Sequence, residues 1–258
     1  MIEGFKINNN LIGPGQPVYI IAEMSANHNQ DFGQALKILQ AARSAGADAI
    51  KLQTYTADTI TIRCDKDYFR LGADSPWAGR NLYELYQEAH TPWEWQPKLK
   101  EIANELGMDL FSSPFDKTAV DFLEKMGVPA YKIASFELVD SPLIRCVAKT
   151  RKPMIISTGM ANLEEITEAV DAARQGGCND IVLLHCISSY PAPVEQSNLR
   201  TIPSLAEGRA IQRLLAEFAS VRAWISYSCR DGHHVNGGER FADCASLADK
   251  SDQIVAVG

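Results

Sequence analysis

Residues 31–55, DFGQALKILQAARSAGADAIKLQTY, join a helix pattern directly to a strand pattern. The first half repeats apolar residues at helical spacing, and Gly46 then supplies the stop signal of a helix. The second half, AIKLQTY at 49–55, is a short apolar run typical of parallel strands that are covered on both faces. Repetition of this helix-and-strand unit along the chain decides the fold class.

The strand pattern occurs eight times, and helix patterns separate the occurrences. Strands are predicted at 18–24, 49–55, 108–112, 130–135, 153–158, 181–187, 222–228 and 253–257. Helices are predicted at 31–45, 92–106, 117–126, 141–149, 162–175, 204–219 and 239–250. Eight strands separated by helices predict an α/β fold of the (β/α)8 TIM barrel type. A doubly wound open sheet is the alternative, although no GxGxxG turn follows the first strand.

Several segments lie outside the regular repeat. Residues 1–16 are predicted as an N-terminal hairpin and 17–258 as the barrel. Because the chain ends just past the eighth strand, the last barrel helix is expected to be absent. The connection at 56–90 is long and has its own short helix pattern, which is typical of a functional loop. Thr91 and Ser141, each followed by a proline, are predicted helix N-caps.

The composition limits the classes of partner. The 258 residues carry a formal net charge of -7, which argues against nucleic-acid binding because nucleic-acid binders usually have a basic face. No apolar run approaches the roughly 20 residues of a membrane span, so no membrane partner is expected. The six cysteines are scattered without a CxxC pair, which predicts reduced thiols and a cytoplasmic location.

The active site of a TIM barrel lies at the C-terminal ends of its strands. The polar residues predicted at those ends include Glu23, Lys51, Gln53, Ser112, Ser113, Lys132, Ser135, Glu137, Ser157 and His185. Lys51 and Lys132 are the most informative, because each interrupts an apolar strand and a buried lysine must meet an anion or a carboxylate. Two lysines and several hydroxyls predict a cradle for phosphate or carboxylate. A structural pair between Lys51 and Glu23 is the alternative.

Seven motifs carry a resemblance to a known family. They read IIAEMSANHNQ, ADAIKLQTYTADTIT, LYELYQEAHTPWEW, LFSSPF, YKIASFE, IISTGMA and LLHCISSYP. With these motifs, residues 5–207 resemble the sialic acid synthase family of carbohydrate biosynthesis, and within it the pseudaminic branch.

The resemblance implies a transferase that condenses phosphoenolpyruvate with an amino-sugar aldehyde, a 2,4-diacetamido-trideoxy hexose, to give a nonulosonic acid and phosphate. Glu23 and Lys51 would be catalytic. The substrates would be bound by Gln53, Ser112, Phe115, Lys132, Ser135, Ser157 and Tyr190. The family also implies a divalent metal, Mn2+ or Mg2+, and a homodimer.

The resemblance changes towards the C-terminus. The two histidine motifs that bind the metal in the family are replaced, and the family's C-terminal antifreeze-like domain is expected to be absent. Residues 201–258 instead resemble homocysteine S-methyltransferases, with TIPSLAEGRAIQRLLAEF, RAWISYSCRDGHHVNGGERFADCASL and QIVAVG. The barrel would then be a chimera, synthase-like over 17–207 and methyltransferase-like over 208–258.

The resemblance to two families leaves three possible interpretations of the function. The first is a synthase with a damaged metal site, for which His233 and His234 are candidate replacement ligands. In the alternative interpretation these two histidines are solvated loop residues. The second function is a catalytically inactive chimeric barrel, and the third is a homocysteine S-methyltransferase-like enzyme.

Overall fold

The computed structural model describes residues 4–13, 15–72, 77–188, 196, 198, 201, 221–227 and 255–257, the last two segments as strand backbone. Eight parallel strands form a closed barrel, and a two-stranded antiparallel hairpin precedes it. The predicted TIM barrel is therefore confirmed. The predicted helices at 204–219 and 239–250 lie outside the described residues.

The strands follow the predicted order. The hairpin consists of β1 (Phe5–Ile7) and β2 (Asn10–Ile12). The barrel strands are β3 (Ile20–Glu23), β4 (Ala49–Thr54), β5 (Asp109–Pro114), β6 (Tyr131–Ile133), β7 (Met154–Ser157), β8 (Ile181–His185), β9 (Val221–Tyr227) and β10 (Val255–Val257). Strand β10 pairs in parallel with both β3 and β9, which closes the barrel.

The described helices surround the strands. They are α1 (Phe32–Ser44), α2 (Ala57–Ile60), α3 (Leu82–Ala89), α4 (Gln96–Glu105), α5 (Lys117–Met126), α6 (Ser141–Ala148) and α7 (Leu163–Gln175). Short 3-10 turns lie at Asp67–Phe69, Trp93–Trp95 and Phe136–Val139. Helices α2 and α3 belong to residues 55–95, between β4 and α4, which we call the insertion. None of these helices is both long and apolar enough to cross a lipid bilayer.

Two predicted helix N-caps were wrong. The cap of α6 is Asp140, whose side chain accepts the backbone N–H of Leu143 at 3.0 Å, so Ser141 is already inside the helix. Thr91 does not cap α4, because a 3-10 turn comes between them and α4 begins at Gln96. Its hydroxyl has a different partner, described below.

Side chains of the barrel strands alternate between the helix layer and the barrel interior. On β4, Ile50 and Leu52 belong to one buried cluster with Leu39 of α1. Because neighbouring side chains of a strand point to opposite faces, Lys51 and Gln53 lie on the interior face.

The hairpin closes the N-terminal end of the barrel. Asp109, the first residue of β5, accepts hydrogen bonds from Asn8 at 2.5 Å, Asn10 at 3.0 Å and the hydroxyl of Tyr19 at 2.6 Å. Burial first, and the Asp109 carboxylate second, raise the pKa of Tyr19, so the hydroxyl keeps the proton that it donates. The predicted active site lies at the other end of the barrel, at the C-terminal ends of the strands.

Aromatic residues attach the exit of the insertion to the outer helices. The indole N–H of Trp93 donates to the carbonyl of Tyr55 at 3.1 Å, and its ring centroid lies 4.9 Å from that of Phe122 on α5. The ring centroid of Trp95 lies 5.4 Å from that of Phe32 on α1. The insertion is thus anchored beside the strand ends where the polar residues were predicted.

Candidate active site

Residues of β3 and β5 that pair with Lys51 and Gln53 of β4 also lie on the interior face of the barrel. Glu23 of β3 and Phe111 of β5 pair with Lys51, and Ser113 of β5 pairs with Gln53. Paired residues of parallel strands point to the same face of the sheet. The C-terminal half of the barrel interior therefore carries a carboxylate, an ammonium, an amide and a hydroxyl side by side.

Lys51 and Glu23 form an ion pair on this face. The Nζ atom of Lys51 lies 2.7 Å from Oε2 of Glu23, and the side chains are 8% and 16% exposed. This contact is the structural pair that the sequence left open as the alternative to an anion cradle. Because separating a buried pair leaves an uncompensated charge, an anion bound at Lys51 must compete with Glu23 or bind to the intact pair.

Lys132 of β6 is the second interior lysine, and it is 7% exposed. Its ammonium donates to the carbonyl of Ile133 at 2.8 Å and to the hydroxyl of Ser157. Within the described segments, no ion pair joins Lys132 to a carboxylate. Burial first, and the Lys51 ammonium second, lower the pKa of Lys132 to about 8. Both observations indicate an ammonium that a bound anion would stabilise.

The adjacent serines of β5 lie on opposite faces. Ser112 pairs with outward-facing Leu52, and its hydroxyl lies 2.6 Å from that of Thr54. Ser113 shares the interior face with Gln53, is 1% exposed, and has no hydrogen-bond partner for its hydroxyl among the described residues. The sequence motif assigned Ser112 to the substrate, whereas the register places Ser113 on the face of the two lysines.

The loops after β6, β7 and β8 meet around Gly159. The Oγ atom of Ser135 lies 3.4 Å from Sγ of Cys186. A Cβ added to Gly159 would lie 2.8 Å from the Ser135 hydroxyl and would also collide with Ser188. Glycine is needed here for the close approach of these loops. Cys186 also lies near enough to Lys132 to raise that lysine's pKa, opposing the effect of burial.

Aromatic rings connect the insertion to the strand ends. The ring centroid of Tyr55 lies 5.6 Å from Tyr86 of α3 and 5.4 Å from Phe115, both in edge-on geometry. Burial first, and Glu137 second, raise the pKa of Tyr86. The insertion therefore reaches Phe115, which the sequence assigned to the substrate. Tyr190, assigned with it, lies outside the described residues.

Glu137 is a candidate site residue that was not selected from the sequence as catalytic. Its Oε2 atom is buried and has no hydrogen-bond partner among the described residues. Burial raises the pKa of its carboxyl, and nearby Lys132 opposes that shift. The signal available in the sequence was its place in the loop that directly follows the Lys132 strand.

The described residues do not supply a metal centre. Across the ranges given above, no group of three or more His, Cys, Asp or Glu side chains could hold a metal ion. Glu23 is engaged with Lys51. His233 and His234, the candidate replacement ligands, lie outside the described residues. The described part of the site therefore does not fit the divalent metal that the resemblance implied.

The arrangement is suited to binding a small anion with more than one charged group. Two ammonium groups lie on one buried face, and hydroxyl groups lie beside them. Ammonium groups and hydroxyls are the donors that phosphate and carboxylate oxygens accept most strongly. The carboxyl of Glu137, whose pKa burial raises, lies near the second lysine.

Two known families match parts of the chain. Residues 38–212 match the NeuB family, and residues 194–258 match the homocysteine S-methyltransferase family. Both resemblances identified from the sequence are confirmed, and the two matches overlap where the join between them was predicted.

Individual relatives are similar over most of this chain. Pseudaminic acid synthase from Helicobacter pylori is 46% identical over 192 residues, which cover 74% of this chain and 56% of the relative. N,N'-diacetyllegionaminic acid synthase from Legionella pneumophila is 36% identical over 199 residues, covering 76% and 56%. The chain thus spans a little over half the length of these curated relatives.

A solved structure gives the same architecture. The N-acetylneuraminic acid (sialic acid) synthetase of Leptospira borgpetersenii, in complex with citrate, aligns with a TM-score of 0.74 and 27% identity. The alignment covers 100% of this chain and 78% of that chain.

Proposed function

Because the chain belongs to the NeuB family, we propose that its barrel binds the substrates of a phosphoenolpyruvate-dependent nonulosonic acid synthase. The observation that carries this proposal is Lys132, a buried ammonium with two neutral partners on the same interior face as Lys51. Phosphoenolpyruvate has a phosphate and a carboxylate, which are the two anionic groups that a pair of ammonium groups can bind.

The interior face divides between the two substrates. Lys51 and Lys132 bind the anionic groups of phosphoenolpyruvate, and the hydroxyls of Ser135 and Ser157 lie on the same side. We assign to Ser113 the role that the motif gave to Ser112, because its hydroxyl has no partner among the described residues and its pairing with Gln53 places it on the interior face.

The sugar binds beside this anion site. Gln53, Phe115 and Tyr190 are the residues that we assign to it. The aldehyde that we propose is a 2,4-diacetamido-trideoxy hexose, on the strength of the similarity to the pseudaminic and legionaminic acid synthases. A homodimer and a cytoplasmic location remain predictions from the resemblance and from the cysteine spacing.

The reaction joins the two substrates through carbon three of phosphoenolpyruvate. That carbon attacks the aldehyde carbon, a C–C bond forms, and the aldehyde oxygen takes up a proton. Water then adds at carbon two, the bond between carbon two and the phosphate oxygen breaks, and inorganic phosphate leaves. Glu23 lies at the reacting centre beside Lys51. Glu137, whose pKa burial raises, is the carboxyl that we assign to proton exchange with the substrates.

Titration calorimetry with phosphoenolpyruvate tests the anion site. The wild-type chain should bind with measurable heat, and Lys51→Ala and Lys132→Met should each weaken binding about tenfold or more, because a charge-assisted hydrogen bond is lost. Lys152→Met is the matched control, since Lys152 is an outer-layer lysine bonded to Glu124 at 2.9 Å. No heat with the wild-type chain, and no change in Lys51→Ala, would count against the proposal.

An inactive chimeric barrel is the second candidate. It is favoured by the match of residues 194–258 to another family. A phosphate-release assay with the hexose, phosphoenolpyruvate and manganese separates the candidates. Binding without release supports an intact anion site in an inactive barrel, and release supports the synthase. A homocysteine S-methyltransferase would contain zinc bound by thiolates, so a zinc-free chain would exclude that third candidate.

A further inference from the structure

Five buried polar side chains form a continuous network behind the outer faces of β4 and β5. These residues, each at most 1% exposed, are His28, Thr54, Thr91, Gln96 and Ser112. They come from the loop after β3, the end of β4, the exit of the insertion, the start of α4 and β5. We call them the polar network. Buried polar groups are costly unless they are hydrogen-bonded, so their partners show what the network connects.

The hydrogen bonds between His28, in the loop after β3, and Thr91, in the insertion, have fixed directions. The backbone N–H of Gln30 donates to Nδ1 of His28 at 3.2 Å, so the ring proton is on Nε2. Nε2 then donates to the hydroxyl of Thr91 at 3.1 Å. Burial first, and His90 second, lower the pKa of His28, which keeps the ring in the neutral form that these two bonds require.

The hydrogen bonds between Ser112, Thr54 and Gln96 also have fixed directions. The hydroxyl of Thr54 donates to Oε1 of Gln96 at 2.8 Å, which uses its only proton, so the hydroxyl of Ser112 donates to Thr54 at 2.6 Å. The amide group of Gln96 donates to the carbonyl of Thr91 at 3.4 Å. Hydrogen bonds therefore run without a break from β5 through β4 and α4 to the insertion.

The strand members of the polar network are direct neighbours of interior residues. Thr54 follows Gln53, and Ser112 precedes Ser113. Successive side chains of a strand leave the backbone on opposite faces. Hydrogen bonds that hold Thr54 and Ser112 on the outer face therefore also hold the backbone of β4 and β5. This backbone sets the orientation of the Gln53 and Ser113 side chains in the barrel interior.

We propose that Thr54, Gln96 and Thr91 are positioning residues, whose hydrogen bonds couple the insertion to the ends of β4 and β5 and so set Gln53 and Ser113 for the substrates. The identity of those substrates rests on the proposed function. The coupling between insertion and strands does not.

Substitutions within the polar network test this coupling. Thr54→Val removes the hydroxyl that bonds Gln96 and keeps the shape, whereas Thr54→Ser keeps the hydroxyl. Gln96→Met removes the amide that bonds both Thr54 and the carbonyl of Thr91. Thr54→Val and Gln96→Met should each weaken phosphoenolpyruvate binding about fivefold, as for a lost hydrogen bond, and Thr54→Ser should keep binding within about twofold of wild type.

Hydrogen exchange measured by mass spectrometry gives a second readout over residues 82–95. Thr54→Val should speed amide exchange in this part of the insertion, although the substitution lies on β4. A change in local packing alone would not reach that segment and would not be reversed by Thr54→Ser.

The outcomes separate this inference from the proposed function. A folded Thr54→Val variant with wild-type affinity and wild-type exchange over 82–95 overturns the inference. If the wild-type chain gives no heat with phosphoenolpyruvate, the proposed function fails and exchange alone decides. Faster exchange in Thr54→Val but not in Thr54→Ser supports the coupling, and equal exchange overturns it. If Thr54→Val does not fold, Gln96→Met decides in the same way, because its amide is the link between Thr54 and Thr91.

Discussion

Lys132 is the residue on which the anion site most depends. Its ammonium is buried beside that of Lys51, and this environment lowers its pKa to about 8. A lysine binds an anion only as the ammonium, which predominates below the pKa. Affinity for phosphoenolpyruvate should therefore be greatest below this pKa and should fall as the pH rises through it.

We predict that the Kd of the wild-type chain for phosphoenolpyruvate increases between about pH 7 and pH 9, in the direction set by the lowered lysine pKa. Lys132→Met should bind weakly, with little dependence on pH over the same interval. Calorimetry at both ends of the interval measures this difference. A wild-type Kd that stays constant or decreases with pH would contradict the role given to Lys132.

Gly159 should not tolerate a side chain. An added Cβ would displace the hydroxyl of Ser135, which lies 2.8 Å from its position. Gly159→Ala should weaken phosphoenolpyruvate binding about tenfold through the loss of that hydroxyl as a donor to a charged group. Gly72→Ala is the control, because a Cβ there meets nothing within 4 Å. Equal affinities in the two variants would show that Ser135 does not contact the ligand.

The sequence predicted the two interior lysines but did not show which of two adjacent serines faces the barrel interior. Lys51 and Lys132 could be identified because each interrupts an apolar strand. In LFSSPF, Ser112 and Ser113 are adjacent and the strand is buried on both faces, so no alternation shows which serine points inward. Only the register between β5 and β4 shows which serine points to the interior, because a register shift of one residue would move each side chain to the other face of the sheet.

At the scale of elements, local signals predicted the helices and strands well. Helix α5 was predicted at 117–126 and is observed at Lys117–Met126, where Asp116 caps its start and Gly127 ends it with a φ of 69°. The role of Thr91 could not be predicted in this way. Its hydroxyl receives the N–H of His28, 63 residues away in the sequence, and no local pattern reports such a contact.

The hydrogen bonds to Asp109 at the N-terminal end of the barrel should contribute to stability and not to ligand binding. Tyr19→Phe removes one hydrogen-bond donor to the Asp109 carboxylate and should lower the free energy of unfolding by about 1–2 kcal/mol. Urea denaturation measures this loss. Tyr68→Phe is the control, because Tyr68 is 81% exposed. Phosphoenolpyruvate affinity should not change, since Asp109 lies at the opposite end of the barrel from the site. A loss of affinity in Tyr19→Phe would contradict this separation.

At the scale of the whole molecule, the net charge of -7 opposes an anionic ligand. The site must therefore concentrate positive charge locally, as the two interior lysines do. Closure of the barrel makes this possible, because β10 joins β3 and the interior becomes a single enclosed face. The sequence indicated this closure only through the number of its strands.

Ligand binding should stabilise the whole fold. At a concentration of about 100 times its Kd, phosphoenolpyruvate should add about 2.7 kcal/mol to the free energy of unfolding. A thermal melt should show a higher Tm for wild type and for Lys152→Met, and a smaller shift for Lys132→Met, because a tenfold weaker Kd would leave about 1.4 kcal/mol of stabilisation at the same concentration. A Tm that rises equally in Lys132→Met would place the ligand elsewhere.

The most direct measurement is a crystal structure of the full chain with phosphoenolpyruvate bound. Oxygens of its phosphate or carboxylate should lie within about 3 Å of Nζ of Lys132 and Oγ of Ser113, as hydrogen bonds to anions require. A structure in which the ligand lies away from the interior face, and Lys132 still bonds only to Ile133 and Ser157, would contradict the anion site.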